Sequence, residues 1–183
     1  DAAFLNDSWA TTLMSYFSQD ENTFFAKQNF SRVFTLTPMI GDLVAIQTAY
    51  GTYNGTRTGD NTYGVGNNTG RTVYGISSDT TNNSGNLRAF VIFDNGGIDT
   101  LNYSSFSANQ LINLNQETFS NVGGSIGNMN IARGTVIENA IGGGGDDQLI
   151  GNDVANSLVG NGGRDSLFGG GGDDVLSGGT GDD

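Results

Sequence analysis

The sequence predicts a mainly β protein that ends in a parallel β-roll, a coil in which short strands stack on their predecessors. Three observations predict it. The last forty-two residues repeat with a period of nine, in five registers beginning at Gly142, Gly151, Gly160, Gly169 and Gly178. Two positions of the unit keep their chemistry: the sixth is Asp147, Asn156, Asp165, Asp174 and Asp183, and the eighth is Leu149, Leu158, Leu167 and Leu176. Acidic charge gathers in the same stretch, where residues 134–183 hold nine acidic side chains against one basic (Arg164), a net of −8 out of −12 for the chain.

Taken in chain order, residues 1–35 are aromatic-rich (Phe4, Trp9, Tyr16, Phe17, Phe24, Phe25, Phe30 and Phe34) without clean helical or strand periodicity. So many aromatics in so short a stretch imply packing against something. Residues 37–50 predict a helix, with Thr37 as N-cap and Pro38 at the first helical position. Ile40, Leu43, Val44, Ile46 and Ala49 give it an apolar stripe, and Gly51 fits its end. From Thr56 the pattern turns to β. Runs at 71–74, 87–93, 99–103 and 111–114 carry β-formers punctuated by Gly, Asn and Ser. Residues 56–141 are therefore expected to form a β-sandwich or a β-helix-like lead-in that continues the coil.

The repeat itself divides into a six-residue turn and a three-residue strand. Glycine lets the turn fold tightly and aim its carbonyls at one point. The strand sends one Leu inward, because strand side chains alternate faces. Two units make one coil, so each turn stacks on the turn two units earlier. An Asp of one turn then lies near carbonyls of the next turn in its column. Ca²⁺ takes about six to eight hard oxygen ligands, carboxylate and carbonyl mixed, and stacked turns offer that mixture. One column is expected to run Asp147, Asp165 and Asp183, with carbonyls from Gly143, Gly145, Asn161, Gly163, Gly179 and Gly181. The other is expected to run Asn156 and Asp174, with carbonyls from Asn152, Gly170 and Gly172. Val154 and Asn156 break the pattern in the second unit, so the site there should be weak or absent. The crowded carboxylates predict calcium-coupled folding, because cations must cancel their repulsion.

Composition excludes several classes. No histidine and no cysteine occur, so the chain holds no disulfide framework. Its single proline excludes collagen. The strong negative charge argues against nucleic acid as partner. No apolar run approaches a membrane span. A low-affinity calcium module suits the calcium-rich outside of the cell, so a secreted, extracellular location is expected.

Several segments together resemble the serralysin family of secreted bacterial zinc metalloproteases. LMSYF at 13–17 is similar to the Met-turn of the metzincins. DLVAIQTAYG at 42–51 resembles the last helix of the family's catalytic domain. RTGD at 57–60, DNGGIDTL at 94–101, QLINLN at 110–115 and VIENAIGGGGDD at 136–147 resemble its carboxy-terminal domain. The resemblance covers nearly the whole chain, in order. It divides the chain into residues 1–51, a short helical and irregular remnant of a metzincin catalytic domain, and residues 52–183, a β-roll domain truncated at its carboxy-terminal end.

What the resemblance implies is specific. Met14 would form the floor beneath a zinc ion, and Tyr16 would ligate zinc and stabilise the oxyanion. A first calcium site would join backbone oxygens of Arg57, Gly59 and Asn61 to Asp94, Gly96, Gly97 and Asp99. A second would set Glu138 and the Val136 carbonyl with the turn Gly143–Asp147. The zinc helix HExxHxxGxxH is missing, so this chain alone should be inactive. Zinc is expected in the parent enzyme only, and the partners are the missing amino-terminal catalytic half and, through it, protein or peptide substrates. From another class, a stand-alone structural or adhesive calcium module would also carry the repeats. The Met-turn-like segment argues against it, because an adhesin has no use for one.

Overall fold

The computed structural model describes Lys27 and residues 34–35, 37–51, 55–75 and 88–183. Met14, Tyr16 and nearly all of the aromatic-rich segment lie outside the described residues. The strands are β1 (Phe34–Thr35), β2 (Thr62–Gly64), β3 (Arg88–Ile92), β4 (Thr100–Asn102), β5 (Leu111–Asn113), β6 (Phe119–Ser120) and β7 (Met129–Ile131). They continue with β8 (Asn139–Ile141), β9 (Gln148–Ile150), β10 (Ser157–Gly162), β11 (Ser166–Phe168) and β12 (Val175–Thr180). Helix α1 spans Ile40–Tyr50.

Two parallel sheets face each other. One has the order β12-β10-β8-β4-β2, the other β11-β9-β5. Ser157 pairs with Val175 on one side and Asn139 on the other, and Gln148 pairs with Ser166, so one coil takes eighteen residues. That is two nine-residue units, and successive strands alternate between the sheets. Ahead of the repeats the same sheets continue with a longer step. Asn139 pairs with Thr100, Thr100 with Thr62, and Gln148 with Leu111, thirty-seven to thirty-nine residues apart. The lead-in is thus helix-like in its coiling. A further sheet, β1-β3-β7-β6, joins two strands that precede β4 (β1 and β3) to two from the segment between β5 and β8 (β6 and β7), and in it only β6 runs antiparallel to its neighbour.

The space between the sheets is filled by the inward residue of each strand. Leu101, Ile112, Ala140, Leu149 and Leu158 are all fully buried. The inward leucines then lose cover, since Leu167 is half-buried and Leu176 is 46% exposed. Phe90, Ile92, Met129 and Ile131 extend the same core into the further sheet. The opposite face of β3 and β7 packs Ala89, Val91 and Ala132 against Met39, Ile40 and Leu43.

Two local expectations change. Helix α1 begins at Ile40, because the Asp42 carboxylate accepts from the Met39 amide (2.8 Å). Thr37 instead accepts from the Val91 amide (2.7 Å), tying the chain to β3. The apolar stripe is covered only at its start, and Ile46 and Tyr50 are exposed. Residues 72–74 form a single 3₁₀ turn rather than a strand, closed by the Gly75 amide on the Thr72 carbonyl (3.1 Å). That turn drops Tyr74 edge-on between Tyr63 (5.2 Å) and Phe90 (6.0 Å).

Candidate metal centre

The turns between strands stack into two columns, as an eighteen-residue coil requires. In the first, each sixth-position carboxylate accepts from the amide one coil earlier. Asp147 accepts from Gln110 (2.6 Å), Asp165 from Asp147 (2.8 Å) and Asp183 from Asp165 (2.9 Å). The second oxygen of Asp147 accepts from the Gly143 amide of its own turn (2.6 Å). Asp147 and Asp165 are buried. An outer ladder runs beside this one in the opposite sense. There Asn109 accepts from the Asp146 amide (3.0 Å) and Asp146 from the Arg164 amide (2.8 Å).

The second column reaches further back than the repeats. Asp99 accepts from the Asn61 amide (2.7 Å), Glu138 from the Asp99 amide (2.7 Å) and Asp174 from the Asn156 amide (2.9 Å). Asn156 in turn donates its side-chain amide to the Glu138 carbonyl (3.0 Å). The order is therefore Asn61, Asp99, Glu138, Asn156, Asp174. Glu138 makes its hydrogen bond within this column, whereas the turn Gly143–Asp147 stacks on residues 103–110. Gly144 donates to the Phe106 carbonyl (2.7 Å), and a Cβ at Gly145 would lie 2.7 Å from the carbonyl carbon of Ala108.

Loops 55–61 and 94–99 close the amino-terminal end of the second column. Asp94 is fully buried. Its carboxylate accepts from the Tyr63 hydroxyl and the Gly96 amide (3.1 Å), and Arg57 Nε lies 3.8 Å away. The Arg57 guanidinium donates to the Phe93 carbonyl and covers the Tyr74 ring at 5.0 Å. With its carboxamide turned so that the nitrogen faces inward, the orientation its neighbours favour, Asn61 donates to the Gly59 carbonyl (3.2 Å) and to Asp94 Oδ2 (3.1 Å). Gly97 packs so closely on Gly59 that a Cβ there would overlap its carbonyl. Asp60 accepts from the Ile98 amide (2.8 Å).

Glycine is required where turn meets turn. Side chains at Gly163, Gly170, Gly179 and Gly181 would collide with the carbonyls of Gly145, Asn152, Asn161 and Gly163 one coil earlier. The first glycine of each unit is pressed against that unit's sixth-position side chain, as Gly160 is against Asp165. Carbonyl oxygens and carboxylates thus converge between coils with nothing bulky beside them. Some of those carbonyls already hold one amide, as Gly143 does from Gly162 (3.0 Å) and Asn152 from Gly171 (2.9 Å), which leaves each a second lone pair.

The donor set fits a hard cation. The buried Oδ2 atoms of Asp99 and Asp165 have no hydrogen-bond partner. A buried, unpaired carboxylate oxygen is costly unless a positive charge meets it. The electrostatics agree. Burial pushes the Asp99 carboxyl up to about 7, against the Asn61 hydrogen bond, and the charges of Asp94, Glu138 and Asp60 add to the rise. Burial also raises Glu138, Asp147 and Asp165 above the usual carboxylate range. Among the described residues no three acidic side chains converge as a self-sufficient metal cluster. Backbone carbonyls would have to supply the remaining ligands, which is the hard-oxygen chemistry of Ca²⁺ rather than that of zinc.

Of the residues singled out from sequence, the structure brings Asp147, Asp165 and Asp183 into one column. It brings Asn156, Asp174, Glu138 and Asp99 into the other, and Arg57, Gly59, Asn61, Asp94, Gly96 and Gly97 to its end. Residues that sequence reasoning missed are Gln110, Asn109, Asp60, Tyr63 and Thr135. Thr135 exchanges two hydrogen bonds with the Asp94 backbone (2.9 Å each). The DNGG and GGGG turns give no signal for them, since each acts across a step of 31 to 41 residues that no repeat marks. Among the described residues no helix is long and apolar enough to cross a membrane.

Comparison with known proteins shows the family of the chain. Residues 52–183 match the family described as Peptidase M10 serralysin C terminal. A serralysin of Photorhabdus luminescens is 46% identical over 154 residues, covering 84% of this chain and 30% of the relative. The metallopeptidase AprA of Pseudomonas marginalis is 45% identical over 159 residues, 85% of this chain and 31% of its own. Serralysin C of Dickeya chrysanthemi is 44% identical over 150 residues, 82% and 29%. The chain therefore spans about a third of the length of the curated relatives it matches. By the match across its β-rich part and by identities in the mid-forties along most of its length, the chain belongs to the serralysin carboxy-terminal family of the M10 peptidases.

Proposed function

We propose that this chain is the calcium-binding β-roll part of a secreted serralysin-like zinc metalloendopeptidase, and that calcium outside the cell drives its folding. The observation that carries the reading is the pair of buried, unpartnered oxygens, Asp99 Oδ2 and Asp165 Oδ2, set among stacked carbonyls. Calcium bound there would supply the positive charge that the carboxylates lack.

The residues divide into sites by what they touch. Arg57, Gly59 and Asn61 carbonyls with Asp94, Gly96 and Asp99 make the first. Asp99 faces both ways, so Gly97, Asp99, Glu138 and the Val136 carbonyl make the second. Asp147, Asp165 and Asp183, with carbonyls of Gly143, Gly145, Asn161, Gly163, Gly179 and Gly181, hold ions between the coils of the first column. Asp174 with Gly170 and Gly172 ends the other column. The Arg57 side chain and the Tyr63 hydroxyl both meet Asp94 Oδ2, and the Gly96 amide meets Oδ1, so the first site would be shaped before a cation enters.

The parent enzyme would hydrolyse peptide bonds with zinc held by an amino-terminal half that carries the histidines this chain lacks. Met14 and Tyr16 would complete that centre, Tyr16 by donating toward the oxyanion. This part would supply a folded support for the catalytic half after export.

Native mass spectrometry with metal counting tests the reading. The expected result is several calcium ions and no zinc on the 19.1 kDa chain, with no cleavage of casein. Failure to bind calcium at millimolar concentration, or far-UV circular dichroism indifferent to EDTA, would overturn it.

A further inference from the structure

The turn Asn152–Asn156, in the second nine-residue unit, carries an inference that rests on the calcium reading above. The geometry points to a metal-independent rung, a turn whose own carboxamides supply the positive ends that a cation supplies to the turns around it.

The argument starts from the side-chain chemistry. A carboxylate offers acceptors only, so any oxygen the amides leave over needs a cation. Asp99 and Asp165 each have such an oxygen. A carboxamide brings its own donor. Asn156 is 3% exposed. Its Oδ1 accepts from the Asn152 amide (2.8 Å), the bond that Asp147 makes to Gly143 in the first column. Its Nδ2 donates to the Glu138 carbonyl (3.0 Å) and to Asn152 Oδ1 (3.1 Å).

Asn152 repeats the device. Its Nδ2 donates to the carbonyls of Ile137 (2.9 Å) and Leu114 (3.3 Å), and its Oδ1 also accepts from the Val154 amide (3.2 Å). From the neighbouring coil Asn115 donates to the Gly151 carbonyl (2.8 Å). Carbonyls that would otherwise turn toward a cation therefore meet N–H groups. No buried side-chain atom of Asn152 or Asn156 is left without a partner, in contrast to Asp99 and Asp165. The inward groups of this turn are neutral and complete.

The rung has a place in assembly. Leu158, fully buried, follows it directly, and β10 pairs with β8 on one side and β12 on the other. A coil that closes without metal gives the calcium-dependent turns after it a formed edge to stack upon.

Hydrogen exchange on the whole chain, with EGTA and with calcium, tests this together with native mass spectrometry of wild type and Asn156→Asp. In EGTA the amides of 151–159 should exchange at least ~10-fold more slowly than those of 160–168, since exchange reports local opening. Calcium should slow 160–168 and leave 151–159 little changed. Asn156→Asp should bind one more calcium ion and make 151–159 calcium-dependent. Equal calcium dependence of the two segments in wild type overturns the proposal. So does an Asn156→Asp protein with an unchanged calcium count and unchanged protection. If that variant fails to fold, the wild-type exchange comparison decides alone. A wild type that binds no calcium sinks the calcium reading, while the comparison in EGTA still decides the rung.

Discussion

Truncating the inward leucines one at a time measures how the core thins along the coil. Leu149 and Leu158 are fully buried, while Leu176 occupies the same position of its unit and is 46% exposed. Leu→Ala at a fully buried site loses the transfer energy of the missing atoms and leaves a cavity, about 2–5 kcal/mol together. At Leu176 only about half the transfer energy of ~1.5–3 kcal/mol is at stake and no closed cavity forms, so about 1 kcal/mol is expected. Leu167, half-buried, should fall between. The assay is urea unfolding followed by circular dichroism at saturating calcium. With a slope of ~2 kcal/mol per molar urea, Leu158→Ala should lower the midpoint by about 1–2.5 M and Leu176→Ala by about 0.5 M, with unchanged slopes. Equal shifts for Leu158→Ala and Leu176→Ala would refute the reasoning, because they would place both side chains in the same environment.

Other outcomes follow from the turns. Gly163→Ala should cost about 1–3 kcal/mol or more, because Gly163 has φ 113° and a Cβ there meets the Gly145 carbonyl. Gly171→Ala, whose Cβ would sit at an ordinary 3.4 Å from Asp153 Cα, should stay within about 1 kcal/mol, and paired urea midpoints check the contrast. Asp165→Ala should weaken calcium binding in its column by at least ~10-fold by calorimetry, while Asn156→Ala should leave that column's affinity unchanged and lower the urea midpoint instead. The raised carboxyls set a pH dependence without metal. Asp99, Glu138, Asp147 and Asp165 bind protons more tightly folded than unfolded, so their contribution is complete below the ordinary carboxylate range and is lost as pH rises, for Asp99 through about 7. In EGTA the urea midpoint should therefore rise on acidification from neutrality. With calcium the trend should reverse, because protons compete with the ion for the same oxygens.

The repeat was legible because it is a self-similar code. A nine-residue period with one inward Leu fixes the eighteen-residue register, and with it the column of Asp147, Asp165 and Asp183. Partners of Asp99 were not legible, since the step from Thr62 to Thr100 to Asn139 carries no repeated residues to mark it. Glu138 shows why nearness in sequence misleads. It lies only a few residues before Gly143, yet successive turns alternate sides of the coil, so its carboxylate meets Asp99 in the other column. Thr37 and Pro38 look like a helix start, yet α1 begins at Ile40, because the hydroxyl that would have capped the helix is used by β3.

An eighteen-residue coil built from nine-residue units also has a parity. Removing two units, such as Gly151–Phe168, takes out one whole coil and returns every later turn to its own side. Removing one, such as Gly151–Val159, sends every later turn across to the opposite side. Asp165 would then stand over Glu138, and the Leu167 strand would join the sheet that now holds β10. Length changes in this region are thus read in pairs. An even change alters only how long the coil is, whereas an odd one exchanges its two faces.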